Sequence, residues 1–194
     1  LDGYQSSLSA FNIDNEGNLY IVYYVAPPYE EGAAYDAEDY TTYLVKYDSN
    51  MNMVYERDLK EMFVDQNNSY VGQFEINKDG VIYAASNSVI YVIDADGVPI
   101  KNIHCQSNWI SGFVQTEDGR IFFGRQSNTG GGMELVEIDT TNFTLGNTFK
   151  NLPDMNGRIS SGKERKVFVC GSIYLYEYDL NTQTATPVLS WLDS

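Results

Sequence analysis

The stretch Leu44-Val45-Lys46-Tyr47-Asp48 decides the fold, because its pattern, a short apolar strand that ends in Asp before a turn, recurs along the chain. The recurrences are Ile90-Tyr91-Val92-Ile93-Asp94, Leu135-Val136-Glu137-Ile138-Asp139 and Leu175-Tyr176-Glu177-Tyr178-Asp179. A period of about 40–50 residues is typical of architectures in which each repeat is one small sheet that packs on its neighbours.

A second strand precedes each of these stretches and starts after a turn. The four copies are Gly17-Asn18-Leu19-Tyr20-Ile21, Gly80-Val81-Ile82-Tyr83-Ala84, Gly119-Arg120-Ile121-Phe122-Phe123 and Arg165-Lys166-Val167-Phe168-Val169. In the first three, an acidic residue precedes the glycine, which predicts a turn with a positive φ at that glycine. The fourth has Lys163-Glu164-Arg165 instead, so its turn must be built differently.

Two further strands complete each unit. The first strands are predicted at 8–13, 72–76, 110–115 and 158–162, and the last strands at 53–59, 98–103, 145–152 and 185–191. A single sheet of this kind cannot bury both faces, so the sheets must stack. We predict an all-β fold of four tandem four-stranded antiparallel propeller-type blades, as part of a larger propeller or a small closed ring. The blades form a single domain over 1–194, with repeat units at 6–59, 71–105, 109–153 and 157–194.

Composition limits the partners. The chain has 194 residues, is 43% hydrophobic and carries a formal net charge of −15. This charge repels phosphate backbones and anionic lipid headgroups, so we expect no nucleic-acid partner. No apolar run approaches the ~18 residues of a membrane span, so we expect no direct membrane insertion of this segment.

An insertion at 26–40, between the second and third strands of unit one, replaces what is a tight turn in unit two. Its tyrosines could stack on sugar rings or peptide side chains, and its acids could contact the same ligand. The candidate ligand-binding residues are Tyr29, Tyr35, Tyr40, Glu30 and Asp36. A solvated acidic loop is the alternative. A third interpretation of the insertion is a calcium site that adds Glu31, Glu38 and Asp39, although no DxDxDG spacing is present. We predict no metal and no cofactor.

No catalytic motif is present. His104 is the single histidine, and neither GxSxG nor HExxH occurs. We therefore predict that the chain is not an enzyme and assign it no catalytic residues. The alternative is a fragment of a propeller lyase, lactonase or hydrolase, in which Arg125 or His104 converges with groups outside this chain. Cys105 and Cys170 fit buried thiols, and a disulfide between them stays open.

The units resemble the blades of bacterial quinoprotein-like and WD-like propellers, without the WD dipeptide or the tryptophan docking motif. The ending Pro187-Val188-Leu189-Ser190-Trp191-Leu192-Asp193-Ser194 also resembles a junction in Firmicutes ABC-importer lipoproteins, where a propeller-like region precedes an extracellular solute-binding domain. This resemblance implies an exported, lipid-anchored bacterial protein whose propeller lies beside a carbohydrate or peptide receptor. It carries over no individual site residue.

From these observations we expect a non-catalytic extracellular binding or interaction module at the cell surface. Its partner would be a glycan, a peptide, another small molecule or a further protein domain. A purely structural spacer is the remaining alternative. The sequence begins with Leu1 rather than Met, so we expect any export signal to lie outside it.

Overall fold

A computed structural model describes residues 4–28, 31, 39–62, 71–107, 109–127, 132–153 and 158–191. Sheet 1 contains β1 Gln5–Ile13, β2 Leu19–Ala26, β3 Thr41–Tyr47 and β4 Met53–Asp58, and the helix α1 Leu59–Met62 follows it. Sheet 2 contains β5 Gln73–Ile76, β6 Ile82–Ser86, β7 Val89–Ile93 and β8 Pro99–His104. Sheet 3 contains β9 Ile110–Gln115, β10 Ile121–Gln126, β11 Met133–Asp139 and β12 Thr144–Leu152. Sheet 4 contains β13 Ile159–Ser161, β14 Lys166–Cys170, β15 Tyr174–Asp179 and β16 Thr184–Ser190.

Each sheet has its four strands in sequence order, and the pairings that join neighbouring strands are antiparallel. The predicted fold class, an all-β chain of four four-stranded propeller-type sheets, is confirmed. The short helix α1 begins at the last residue of the predicted repeat unit 6–59, and the sequence analysis predicted no helix there. Among the described residues, no helix is long and apolar enough to cross a membrane.

The chain divides into two compact units. The first comprises Leu1–Ser86 and Tyr91–Lys101, and the second comprises Asn87–Ile90 and Asn102–Ser194. In the first unit, sheet 1 packs on sheet 2: Ser9 Oγ donates to the Val71 carbonyl at 2.6 Å, and Lys46 Nζ donates to the Ala95 carbonyl at 3.3 Å. Tyr20, on this face of sheet 1, is fully buried.

In the second unit, sheets 3 and 4 share an apolar core. Phe122 and Leu135 of sheet 3 pack with Val167, Val169 and Tyr178 of sheet 4, and all five side chains are fully buried. The Tyr178 hydroxyl donates to the Lys150 carbonyl at 2.5 Å, so this buried polar group is satisfied. Apolar burial on facing sheets is the main force that holds the two sheets together.

The turns explain the recurring aspartates. Asp48 Oδ1 accepts the backbone N–H groups of Asn50 and Asn52 at 2.9 and 2.8 Å. The same local capping occurs at Asp14, Asn77, Asp94, Asp139 and Asp179. A side-chain oxygen that satisfies two turn N–H groups fixes where each strand ends. The turn acids are therefore structural.

The predicted positive φ occurs at Gly17, Gly80 and Gly119, with values of 82°, 78° and 80°. In the fourth unit, Glu164 and Arg165 take positive φ values of 53° and 63°, so that turn is indeed built differently. Met51 has φ 65° in the Asp48 turn, where the corresponding turn of sheet 2 has Gly97. A non-glycine residue is strained in this region.

Replacing Met51 by glycine should raise the free energy of unfolding by up to about 1 kcal/mol, because glycine adopts positive φ without a Cβ clash. Met51 is exposed, so little apolar burial is lost with its side chain. Urea denaturation measures the change. Asn50→Gly is the matched control, because Asn50 has no positive φ, and it should be neutral or destabilising. Equal effects of both variants would refute the strain at Met51.

Acid should destabilise the chain through these turns. The Asn52 amide and the turn N–H groups hold the pKa of Asp48 below its usual 3.8. The Asn142 amide and the turn N–H groups lower the pKa of Asp139 in the same way. The N–H groups of Thr182 and Asn181 lower the pKa of Asp179. Since the folded pKa values lie below the unfolded ones, the stabilisation is present above about pH 4 and disappears as the pH falls through the folded values.

The triple variant Asp48→Asn, Asp139→Asn, Asp179→Asn should therefore lose less stability than the wild type between pH 5 and pH 2, a range of about three units around the usual Asp pKa. Urea midpoints at each pH measure this. Asn77 caps its turn as a neutral amide, so Asn77→Asp is the reciprocal control and should add pH dependence. Parallel pH curves for the wild type and the triple variant would contradict the assignment.

Candidate functional site

The predicted ligand-binding residues fall partly outside the described residues. Tyr29, Glu30, Tyr35 and Asp36 lie outside, and Tyr40 lies inside. Tyr40 directly precedes β3, at the strand end that the link from β2 enters, and it is half-buried. The prediction for the other four residues stays a prediction.

Tyr40 packs edge-on against Tyr24 of β2. The ring centroids are 6.3 Å apart and the ring planes cross at 68°. This geometry is favourable for aromatic pairs because a ring edge meets a ring face. Tyr24 therefore provides the support for Tyr40, although the sequence analysis placed it only within a strand.

A second tyrosine pair lies on the opposite face of the same sheet. Tyr23 of β2 and Tyr43 of β3 are paired across the strands, and their rings stack at 5.2 Å with an interplanar angle of 23°. The Tyr23 hydroxyl donates to Glu56 Oε1 at 2.5 Å. Tyr23 and Tyr24 are successive strand residues, so they point to opposite faces.

The hydroxyls of Tyr23 and Tyr43 stay protonated at neutral pH. Burial and then the hydrogen bond to Glu56 raise the pKa of Tyr23 well above its ordinary value. Burial and then the charges of Asp58 and Glu56 raise the pKa of Tyr43. Both side chains are therefore hydrogen-bonding phenols, not phenolates, and so suit binding rather than acid–base chemistry near pH 7.

We call Tyr23, Tyr24, Tyr40 and Tyr43 the tyrosine edge. These side chains are all half-buried, so each keeps part of its ring accessible. Tyrosine offers a flat apolar surface with a polar tip and loses little conformational entropy on contact. The pair on each face can therefore stack on a planar or ring-shaped ligand and hydrogen-bond its periphery.

Arg125, which the enzyme-fragment alternative names, lies in a buried polar network. Its Nε and Nη2 each lie 3.2 Å from Glu134 Oε2, and its Nη1 donates to the Cys105 carbonyl at 2.7 Å. Ser127 Oγ donates to Glu134 Oε1 at 2.9 Å. Arg125 and Glu134 are both buried, so this network ties β10, β11 and the segment after β8 together within the second unit.

His104 is exposed at the end of β8, as the sequence indicated. Both cysteines are free, with Cys105 buried and Cys170 half-buried. Burial raises the pKa of the Cys105 thiol to about 12, so this sulfur is not a nucleophile at neutral pH. Among the described residues, no group of three His, Cys, Asp or Glu side chains could hold a metal ion.

A cavity of about 500 Å³ lies at sheet 4 in the second unit. Its lining includes Glu117 from the link after β9 and Lys166, Phe168 and Glu177 from sheet 4. Lys166 Nζ and Glu177 Oε1 are 2.9 Å apart, so the two charges neutralise each other. The whole lining carries three carboxylates, Glu117, Glu164 and Glu177, against two ammonium groups, Lys163 and Lys166, so it does not favour an anionic ligand.

Comparison with solved structures bears on the fold. The WD40 domain of Neurospora crassa Pan2 is 13% identical over 95% of this chain and 50% of its own, with a TM-score of 0.64. An oligogalacturonate lyase in complex with manganese is 9% identical over 98% of this chain and 55% of its own, with a TM-score of 0.67. These neighbours have propeller folds. A protein of unknown function from Bacteroides caccae is 10% identical over 98% of this chain and 68% of its own, with a TM-score of 0.64.

These identities are too low to show more than the fold. The chain spans about half the length of the Pan2 domain and of the lyase. No protein-family model matches the chain, and no curated protein is similar to it in sequence. The β-propeller resemblance is thus supported, and the importer context has no support among these structures.

Sequence reasoning missed Tyr23, Tyr24, Tyr43 and Glu56 as neighbours of the predicted site. The available signal was the strand register. If Tyr47 pairs with Leu19 in an antiparallel hairpin, then Tyr43 pairs with Tyr23. This register brings two tyrosines together at the end of β2 and β3 where the insertion begins.

Proposed function

We propose that this chain is a non-catalytic binding module of an extracellular bacterial protein and that it recognises a glycan or a peptide at the tyrosine edge of sheet 1. The observation that carries the proposal is the pair of tyrosine contacts at the point where the tyrosine-rich insertion joins the sheet. The rigid sheet holds Tyr24 and Tyr43, while the insertion supplies further aromatic and acidic groups. A rigid scaffold with a variable loop is a common arrangement for recognition.

The chemistry of the edge favours neutral or cationic ligands. Protonated phenols and the carboxylate of Glu56 offer stacking faces, donors and an acceptor. The net charge of −15 disfavours polyanions. Neutral oligosaccharides and peptides with aromatic, proline or basic residues fit both properties.

The enzyme alternative would place Arg125 or His104 with converging polar groups. Arg125 forms a buried ion pair with Glu134, and Cys105 is a buried thiol of raised pKa. We therefore keep the binding module as the proposal.

The proposal for the domain beside this module depends on a sequence resemblance. The junction-like ending at 187–194 favours a neighbouring extracellular solute-binding domain in a lipid-anchored importer protein. In that setting, the module would present glycan or peptide ligands beside a receptor for related solutes.

A binding comparison tests the proposal. Arrays of oligosaccharides and short peptides identify a ligand for the wild type, and calorimetry then measures its affinity. Tyr40→Ala and Tyr24→Ala should each weaken binding by about 10-fold or more, since loss of one stacked aromatic contact costs about 1–2 kcal/mol.

The matched control is Tyr174→Ala in sheet 4. Tyr174 also forms an edge-on pair, with Tyr176 at 5.8 Å, and is half-buried, but it belongs to sheet 4 and not to sheet 1. Binding should survive this change. An affinity that is unchanged in Tyr40→Ala and Tyr24→Ala, or lowered equally in the control, would refute the tyrosine edge as the site.

A further inference from the structure

The outer face of sheet 4 carries apolar side chains that no described sheet of the second unit covers. Val167, Val169 and Tyr178 point into the core shared with sheet 3. Because side chains alternate along a strand, Lys166, Phe168 and Cys170 point the other way. Leu175 and Leu189 pair across β15 and β16 on this outer face, and Leu189 is 52% exposed.

The corresponding face of sheet 3 shows how a face of this kind is covered. Lys166, Phe168 and Glu177 of sheet 4 occupy the positions that Arg120, Phe122 and Glu137 occupy in sheet 3. Both aromatic residues pair with their glutamate across the strands, and both cations form an ion pair with that glutamate.

In sheet 3, this set is covered by sheet 4, and Phe122 is fully buried against Val167, Val169 and Tyr178. In sheet 4, Phe168 is half-exposed and lines the cavity of about 500 Å³. The Lys166–Glu177 pair is also more exposed, with side-chain values of 34% and 32% against 25% and 17% for Arg120–Glu137.

Sheet 1 carries the complementary face. By repeat position, its Leu19, Ile21 and Tyr47 correspond to Val167, Val169 and Tyr178, the residues with which sheet 4 covers Phe122. Leu19 pairs with Tyr47 in sheet 1, as Val167 pairs with Tyr178 in sheet 4. The two sheets thus present the same residue classes in the same register.

This outer face of sheet 1 is also open in the first unit. The opposite face packs on sheet 2 through Ser9 and Asn12, which bond to Val71 and Glu75. Phe11 and Ile13 of β1 are paired with Ile21 and Leu19 on the outer face, where they are 64% and 58% exposed. Exposed apolar residues grouped on one face mark an interaction surface.

We propose that these two faces bind each other between copies of the chain, so that the outer face of sheet 1 in one copy covers the outer face of sheet 4 in another. The contact repeats, between molecules, the packing of sheet 4 on sheet 3 within one molecule. The occupant is a second copy because this chain itself carries both halves of that packing. The interface is heterologous: two different faces meet.

The sheet 1 face carries two carboxylates, because Glu56 and Asp58 pair with Val45 and Tyr43 on it. The two charges on the sheet 4 face form an ion pair with each other. The net charge of −15 per chain adds a general repulsion, which salt screens. Association should therefore strengthen as the salt concentration rises.

Tyr23 and Tyr43 of the tyrosine edge lie on this same face of sheet 1, at the other end of the strands from Leu19 and Tyr47. The proposal does not rest on ligand binding there, and the two variants used to test it leave both tyrosines in place.

Light scattering on a sizing column tests the proposal. The wild type should exceed the monomer mass of 21.9 kDa in a concentration-dependent manner. Phe11→Asp blocks the sheet 1 face and Leu189→Asp blocks the sheet 4 face, and each variant alone should be monomeric. Both residues are more than half exposed, so the substitutions should leave the fold intact.

The decisive sample is an equimolar mixture of the two variants. Each variant keeps one intact face, so the mixture should form a dimer of twice 21.9 kDa and nothing larger. Val98→Asp is the matched control, because Val98 is 51% exposed but lies at the turn of sheet 2. It should associate like the wild type.

A wild type that stays monomeric at millimolar concentration and high salt would overturn the proposal. So would a mixture that remains monomeric while the wild type associates, since that result would place the contact on other faces. If a separate domain or a further part of a longer chain covers these faces instead, the wild type should stay monomeric.

Discussion

Replacing Glu134 by alanine should lower the free energy of unfolding by about 3–5 kcal/mol, because it leaves a buried guanidinium without its counter-charge. The remaining partner of Arg125, the Cys105 carbonyl at 2.7 Å, satisfies one N–H group but carries no charge. Ser127 Oγ also loses its hydrogen bond to Glu134. Urea denaturation monitored by tryptophan fluorescence and by circular dichroism measures the loss.

Two controls separate this effect from a general cost of losing a glutamate. Glu137→Ala breaks the Arg120–Glu137 pair, whose side chains are 25% and 17% exposed, so water can replace the lost contact and the cost should be less than half as large. The double variant Arg125→Met, Glu134→Leu removes both charges and should recover most of the stability. A loss below about 1 kcal/mol for Glu134→Ala would show that water reaches the pair.

Phe122→Ala should cost about 3–5 kcal/mol, because it opens a cavity in the core between sheets 3 and 4. Phe122 is fully buried, meets Phe149 edge-on at 5.6 Å and lies under the Arg120 guanidinium at 4.9 Å. Relaxation of the surrounding strands cannot fill the volume of a phenyl ring. Thermal and urea unfolding measure the loss.

The repeat provides the matched control. Phe168→Ala changes the corresponding residue of sheet 4, which is half-exposed, and should cost about 1–2 kcal/mol when the protein is dilute enough to be monomeric. Equal costs at the two positions would show that Phe168 is covered within the monomer. That result would also count against the proposed contact between copies.

The strand order and the turns could be predicted from the sequence because they depend on local chemistry. Each apolar strand that ends in Asp carries its own stop signal, since the carboxylate caps the N–H groups of the next turn. The glycines at 17, 80 and 119 were recognised for the same reason. Met51 was not, because nothing in its local sequence shows that a methionine takes the position of a glycine.

Burial could not be predicted from local chemistry. Phe122 and Phe168 stand at the same repeat position in similar sequences, yet one is fully buried and the other half-exposed. The difference depends on whether a neighbouring sheet covers that face. The pairing of Arg125 with Glu134 also escaped prediction, because it follows from the register of β10 and β11, which composition does not show.

The candidate site was predicted in part. Tyr40 was chosen from the composition of the insertion, and the structure adds its contact with Tyr24. The stacked pair of Tyr23 and Tyr43 follows from the register of β2 and β3, which composition does not show. The predictions for Tyr29, Tyr35, Glu30 and Asp36 stay predictions, since these residues lie outside the described ranges.

A thermal-unfolding screen against neutral oligosaccharides, short peptides and calcium tests the central claim, that this chain is a ligand-binding module. A ligand at 100 times its Kd adds about 2.7 kcal/mol to the stability of the folded state. For a chain of this size, that corresponds to a rise of about 5–10 °C in Tm. We predict such a rise for one class of oligosaccharide or peptide, with the rise lost in Tyr40→Ala and kept in Tyr174→Ala. A folded wild type whose Tm does not change with any oligosaccharide or peptide would contradict the claim.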